Sequence, residues 1–150
     1  MEVYIFLFAT LLLLIAIYRH FRSREARELS LASNFLAGRG DYDFEIVGEA
    51  SYQENLARIA GTSPDGVEHY CEAVLEHQPW NIHDANAVRV KISGLTVGYI
   101  RRREAPLVKK LLGHGGAAHC SAVIVGGWNR GALDQGHYGV KLDVVWPLRF

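Results

Sequence analysis

Apolar and polar residues alternate over much of the chain, and this alternation predicts a mainly β domain. The pattern is clearest at residues 87–92, where apolar side chains alternate with Arg89 and Lys91, as expected of a strand with one buried face. Ser93 and Gly94 then supply a turn, and residues 95–100 return with Val97 and Tyr99 at alternate positions. The stretch therefore predicts a β-hairpin.

Other segments extend the predicted sheet. Strands are expected at residues 44–48, 70–77, 119–125 and 138–145. Helical spacing marks residues 104–112 and residues 51–60, where Ser51 and Glu54 have the spacing of a capping box with Ser51 as the N-cap. Short strands with interspersed helices and many turn glycines are typical of a small closed or partly open barrel. The predicted fold class is mainly β with two helices (α+β), built on about six strands.

The N-terminal part has a different pattern. The run that begins at Val3 and ends at Tyr18 contains no charge, and as a helix it would span about 24 Å, close to the thickness of a hydrocarbon core. Arginines follow the run from Arg19 onward, which places the C-terminal side in the cytoplasm by the positive-inside rule. The pattern predicts a single-pass membrane anchor in residues 1–22, a juxtamembrane linker in residues 23–40, and a domain in residues 41–150.

Two other interpretations fit the apolar run less well. A cleaved signal peptide needs its basic residues in front of the apolar stretch, whereas here they follow it, and no clear small-residue cleavage site comes next. A buried helix of a soluble domain is disfavoured because no polar stripe interrupts the run.

Charge and composition limit the functions to consider. Sixteen basic residues balance sixteen acidic ones, so any binding of nucleic acid must be local. A local basic cluster exists in Arg101, Arg102, Arg103, Lys109 and Lys110, near Tyr99 and Asp84. Cations for phosphates and a ring for a base are what a single strand requires. From these residues alone, however, a solvated helix start with surface lysines is the simpler interpretation.

Catalysis and cofactor binding find little support in the sequence. The seven histidines do not have the spacing of a zinc site, and the glycine-rich stretches lack the lysine of a phosphate-binding loop. His83 beside Asp84 resembles a general-base pair, but adjacent side chains on a loop usually diverge. Cys71 and Cys120 are expected to be reduced thiols. We therefore predict no enzymatic activity, no metal and no cofactor.

One longer motif is more specific than these features. The segment N-x-x-D-x-N-A-V-x-V starts at Asn81, and V-G-Y-I-R-R follows it and ends at Arg102. Together with flanking apolar positions over roughly residues 42–146, the segment resembles the signature of the HIRAN domain family. The resemblance implies a small β-barrel related to OB-folds that binds single-stranded DNA at its 3′ end. It implies no motor activity, because the ATPase and zinc-ring modules that often accompany this domain find no counterpart in the sequence.

The resemblance also implies a set of binding residues. In it, Asp84 contacts the terminal sugar, Arg102 contacts a phosphate, and Tyr138 stacks on a base. The full set implied for nucleic-acid binding is His83, Asp84, Tyr99, Arg102 and Tyr138, with possible further contacts from Ser51, Tyr52, Arg101 and Arg103. The chain departs from the pattern at Ala50 and Ser51, where DNA-binding members carry an arginine and a tyrosine.

Three functions follow from these observations. The leading hypothesis is a membrane-anchored HIRAN-like protein whose partners are the 3′ end of single-stranded DNA and, through residues 3–18, membrane lipid. The first alternative is a membrane-tethered protein-interaction module that has lost the DNA site, which the departures at Ala50 and Ser51 make credible. The second is a hydrolase that uses His83 and Asp84, disfavoured for lack of a metal cluster.

Overall fold

The computed structural model describes residues 13–19 and 34–150, in two compact units of which the second is Asn34–Phe150. Residues 13–19 are helical and carry exposed apolar side chains such as Leu13 and Leu14. The remainder of the predicted anchor, and the predicted linker as far as residue 33, lie outside the described residues. Among the residues that are described, no helix has the length and apolar character needed to cross a bilayer.

The second unit is mainly β, as predicted, with six antiparallel strands in one sheet. Its elements are β1 (Phe44–Glu45), a 3-10 turn (Glu49–Tyr52), α1 (Gln53–Ala60), β2 (Val67–His77), β3 (Val88–Ile92), β4 (Leu95–Tyr99), α2 (Ala105–Leu112), β5 (Ala117–Gly126) and β6 (Tyr138–Asp143). The spatial order is β1-β6-β5-β2-β3-β4. The predicted hairpin is therefore present as β3 and β4, joined at Ser93 and Gly94, both of which have positive φ as a tight hairpin turn requires.

The sheet curls into a half-barrel whose two edges approach each other. Just beyond β1, the backbone of Val47 exchanges two hydrogen bonds of 2.8 Å with the backbone of Tyr99 at the end of β4. Gly98 makes this approach possible, since a Cβ at that position would lie 2.6 Å from Ile46 Cδ1 and 2.7 Å from the Val47 carbonyl oxygen. The glycine of the V-G-Y motif thus has a structural role in joining the two edges of the sheet.

The core lies on the concave face of this sheet. Along β2, Ala73 and Leu75 have no exposed surface, and the same alternation continues to His77, which is 2% exposed. Leu56 of α1 and Val108 of α2 are fully buried against the same cluster. Alternate burial along the strands and one apolar stripe on each helix therefore account for most of the core.

An irregularity in the hairpin changes which way Tyr99 points. The register of β4 against β3 shifts between Val90 and Lys91, so that one extra residue of β4 is accommodated as a bulge. Val97 and Gly98 are consequently both buried, and Tyr99 is only half-buried, on the face opposite to the core. Simple alternation with Val97 would have placed Tyr99 in the core, so the bulge presents its ring on the outer face.

The start of α1 differs from the prediction. The chain enters the helix through the 3-10 turn, so Ser51 lies inside helical backbone, and Tyr52 occupies the N-cap position without a side-chain capping bond. The prediction of Ser51 as the N-cap was therefore wrong. The reason is that Gly48, with φ of 87°, already turns the chain, and the backbone N–H of Ser51 donates to the Gly48 carbonyl oxygen at 3.1 Å.

The compact unit begins seven residues before the predicted boundary at residue 41. Leu36 is 1% exposed, and its backbone N–H donates to the His119 carbonyl oxygen at 2.7 Å. Asp143 Oδ1 accepts two hydrogen bonds of 2.8 Å from the backbone N–H groups of Arg39 and Gly40. Gly38 lies against the same carboxylate, since a Cβ at this position would be only 2.2 Å from Asp143 Oδ2. Residues 34–40 therefore belong to the domain and not to the linker.

Both thiols are free in the sheet. Cys71 is half-buried in β2, and Cys120 is fully buried in the neighbouring strand β5. Burial raises the pKa of the Cys120 thiol to about 12, so the group is protonated at neutral pH and behaves as a small core side chain.

Candidate nucleic-acid interface

The loop between β2 and β3 is shaped by its own short polar side chains. Asn81 Oδ1 accepts hydrogen bonds from the backbone N–H groups of His83 at 2.9 Å and Asp84 at 3.2 Å. Asp84 Oδ1 in turn accepts the backbone N–H of Asn86 at 2.8 Å. Side chains of this kind close turns by bonding to their own backbone. The loop is consequently held in one shape, with Asp84 Oδ2 not used in closing the turn.

His77 holds this loop through hydrogen bonds from its ring. Its Nε2 lies 3.0 Å from the Ala85 carbonyl oxygen, and its Nδ1 accepts the backbone N–H of Gly115 at 3.1 Å. Nδ1 also lies 3.2 Å from the Gly113 carbonyl oxygen. The sequence analysis placed His77 only as the last residue of a strand, yet it joins the polar loop to the glycine-rich turn after α2. Its inward position in the alternation of β2 was the signal that could have revealed it.

The loop forms one wall of a cavity of about 370 Å³, which we call the Asp84 cavity. Its lining residues are Val47, Tyr52, Asn81, His83, Asp84, Ala87, Tyr99, Ile100, Arg102 and Ala105. The volume falls within the range of about 300–1,000 Å³ that is usual for ligand sites. Four of the five main residues implied by the resemblance, together with Tyr52, are thus brought together in a single cavity.

Two tyrosines form the aromatic part of the cavity. Tyr52 at the start of α1 and Tyr99 at the end of β4 have ring centroids 6.4 Å apart, with their planes inclined at 45°. Burial raises the pKa of Tyr52, and the neighbouring Tyr99 contributes to that rise, so the Tyr52 hydroxyl keeps its proton at neutral pH. At this separation the two rings contact each other as a tilted aromatic pair, and both line the cavity.

Asp84 and Arg102 supply the charged groups of the cavity. Arg102 Nε lies 3.5 Å from Asp84 Oδ2, and the two side chains are 83% and 22% exposed. The ion pair is weak because the guanidinium is mostly in water, and the arginine can leave it for another anion at little cost. The cavity therefore has a hydrogen-bond acceptor in its interior and a movable cation at its mouth.

Arg89 is a further cation close to the tyrosines that the sequence analysis did not select. It is paired with Tyr99 across the hairpin, and its Nη2 donates to Glu76 Oε2 at 2.7 Å. This bond from Arg89 lowers the pKa of Glu76. Arg89 Nε is buried and has no hydrogen-bond partner among the described residues. The bulge that turns Tyr99 outward also sets Arg89 beside it, which the alternation pattern alone does not reveal.

Tyr138 does not lie with the other implied residues. It is 8% exposed, its hydroxyl donates to the Gly61 carbonyl oxygen at 2.7 Å, and its backbone N–H donates to Gln53 Oε1 at 2.8 Å. Burial raises its pKa. Tyr138 lines a different groove, of about 330 Å³, together with Trp128. In the Asp84 cavity, the aromatic groups are instead Tyr52 and Tyr99.

The remaining implied contacts lie around the cavity and do not line it. Arg101 Nη2 is bonded to Glu45 Oε2 at 2.7 Å, and Arg103 Nε to Glu104 Oε1 at 3.0 Å. Ser51 is exposed in the 3-10 turn. Of the arginine run, Arg102 alone lines the cavity.

Within residues 13–19 and 34–150, no group of three His, Cys, Asp or Glu side chains is arranged to hold a metal ion. His83 is exposed, and its backbone, not its ring, makes the contact to Asn81.

Comparisons of the chain with protein families, with curated proteins and with solved structures found no match.

Proposed function

We propose that the unit Asn34–Phe150 binds single-stranded nucleic acid, with the 3′-terminal nucleotide of DNA held in the Asp84 cavity. The observation that supports this most is the convergence of Asp84, two tyrosines and Arg102 on one cavity of nucleotide size. In this proposal the domain is a HIRAN-like, OB-like barrel that binds without catalysis, and residues 3–18 tether it to a membrane with the domain on the cytoplasmic side. The sequence patterns described above support the tether.

Each chemical group of a terminal nucleotide has a counterpart in the cavity. A carboxylate accepts a hydrogen bond from a hydroxyl, which suits Asp84 to a free 3′-OH. The paired rings of Tyr52 and Tyr99 offer a surface for stacking a base, because base–aromatic stacking does not depend on sequence. Arg102 suits the phosphate on the 5′ side of that nucleotide.

The relative depth of Asp84 and Arg102 favours binding of a strand end over binding of an internal nucleotide. Asp84 is 22% exposed and Arg102 is 83% exposed, so the acceptor lies deeper than the cation. A chain end can direct its hydroxyl inward and its phosphate outward. An internal nucleotide would bring a second phosphate toward the Asp84 carboxylate, which disfavours it by like-charge repulsion.

Arg102→Ala is expected to weaken binding of a short single strand and to flatten its salt dependence. Loss of one phosphate contact reduces the slope of log K against log salt by about 0.7 for a single strand. The measurement is a fluorescence anisotropy titration at several salt concentrations.

Arg130→Ala is the matched control, because Arg130 is an exposed arginine paired with Asp65 and Asp134 away from the cavity. It should leave the slope unchanged. Equal changes in the two variants would indicate diffuse electrostatic attraction, and absence of binding at low salt would favour the protein-interaction module.

A further inference from the structure

A second depression lies directly beside the Asp84 cavity. It has a volume of about 400 Å³ and is lined by Asn86, Pro106, Lys109, Lys110, Gly113 and His114; we call it the lysine groove. The same two segments of the chain line both sites. The loop after β2 contributes Asp84 to the first and Asn86 to the second, and the start of α2 contributes Ala105 to the first and Pro106 to the second. A chain that leaves one site therefore reaches the other without crossing the sheet.

The lysine groove is positively charged and lacks a balancing acid. Lys109 Nζ donates to Asn86 Oδ1 at 2.9 Å, a neutral partner that orients the ammonium group and leaves its charge uncompensated. Lys110 is exposed. In the part of the chain that the structure describes, neither lysine forms an ion pair. Two unpaired ammonium groups on one turn of helix attract phosphates.

An exposed aromatic side chain stands next to this groove. Trp80 is 86% exposed, and its ring meets that of His114 at 6.2 Å in an edge-on arrangement of 83°. His114 in turn lies 6.0 Å from the buried His77, which is hydrogen-bonded to both neighbouring loops. Trp80 thus contacts His114, while most of its own surface remains open to solvent, as stacking with a base requires.

We propose that a single strand bound by its 3′ end continues from the Asp84 cavity into the lysine groove, where Lys109 and Lys110 contact phosphates and Trp80 stacks on a base. This inference rests on the proposed function. It extends the site from one terminal nucleotide to several, and it makes affinity depend on the length of the strand. It also supplies an aromatic group outside the set implied by the resemblance, in a chain that lacks the tyrosine expected at Ser51.

The test compares two strand lengths with the full chain in neutral detergent. Oligodeoxythymidylates of three and ten nucleotides, each with a free 3′-OH and a 5′ fluorophore, are titrated by anisotropy. Trp80→Ala should lower the affinity for the longer strand about tenfold and leave the affinity for the trinucleotide unchanged. Trp80→Phe should restore most of the loss, and Lys110→Ala should reduce the salt slope for the longer strand alone, by about 0.7.

Trp128→Ala is the matched control, because Trp128 is a partly exposed tryptophan on the separate groove that contains Tyr138. It should affect neither length. Trinucleotide binding without a gain for the longer strand, or equal effects of Trp80→Ala on both, would overturn the extended path and leave the proposed function standing. Absence of binding to either strand would overturn both.

A lipid surface is the other partner that an exposed tryptophan beside lysines can serve. Vesicles containing one-third phosphatidylserine provide that arm of the experiment. If Trp80→Ala reduced vesicle binding but not binding of the longer strand, Trp80 would be a membrane contact and the proposal would be wrong.

Discussion

Asp84→Asn is expected to abolish a preference of at least about tenfold, or about 1.4 kcal/mol, for a 3′-hydroxyl over a 3′-phosphate. In the unaltered protein, Asp84 accepts a hydrogen bond from a terminal hydroxyl but repels a phosphate placed at the same position. The carboxylate is only 22% exposed, so water screens this repulsion less than on an open surface.

The substitution separates charge from shape. Asp84 Oδ1 closes the loop by accepting the backbone N–H of Asn86, and an asparagine side chain can accept the same bond. The position of Oδ2 then becomes an amide NH2 group, which carries no negative charge, does not pair with Arg102 and cannot accept a bond from the terminal hydroxyl. The measurement is a pair of titrations with strands that differ solely in their 3′ group.

Asp134→Asn is the control, because Asp134 is an exposed aspartate that pairs with Arg130 and accepts the indole N–H of Trp128 away from the cavity. It should leave the preference intact. If the unaltered protein bound both 3′ ends equally, Asp84 would have no part in reading the end.

Removal of residues 34–40 is expected to have the largest effect on stability, lowering the free energy of unfolding by about 5 kcal/mol or more. Loss of the buried Leu36 side chain alone costs about 2–5 kcal/mol, as for other buried leucines. The deletion also removes the backbone partners of Asp143, which is 9% exposed, and leaves its carboxylate without two hydrogen bonds. The total free energy of unfolding of a small domain is only about 5–15 kcal/mol.

Urea denaturation of proteins that begin at Asn34 and at Asp41 measures this difference. Within the longer protein, Leu36→Ala should cost about 2–5 kcal/mol, whereas Phe35→Ala, at a side chain that is 39% exposed, should cost about 1 kcal/mol or less. Equal urea midpoints for the two proteins would show that the domain begins at residue 41, as the sequence alone predicted.

Alternation and turn chemistry were enough to predict most strands of the sheet. The hairpin at Ser93 and Gly94 and the inward face of β2 at Ala73 and Leu75 follow from a period of two and from residues suited to positive φ. The early start of the domain was missed because the apolar run of residues 35–37 is too short to show a period. Its burial depends on hydrogen bonds from this segment to His119 and Asp143, far along the chain.

The candidate site was predictable where it depends on local sequence. Asn81 and Asp84 bond to backbone within the same loop, so their spacing indicated the turn. Tyr99 and Tyr138 show what the sequence could not reveal. A bulge turns Tyr99 outward, and a bond to the Gly61 carbonyl oxygen holds Tyr138 in the core, and both depend on pairings between distant segments.

Photo-crosslinking gives the most direct test of the claim that a 3′-terminal nucleotide occupies the Asp84 cavity. A ten-nucleotide strand carries 4-thiothymidine either at its 3′ end or at its 5′ end, and mass spectrometry identifies the crosslinked peptide. We predict that the 3′ label reacts with the cavity residues Tyr52, His83 or Tyr99, and that the 5′ label does not. Reaction of the 3′ label at Trp128 or Tyr138, or the same crosslinks from both labels, would contradict the account.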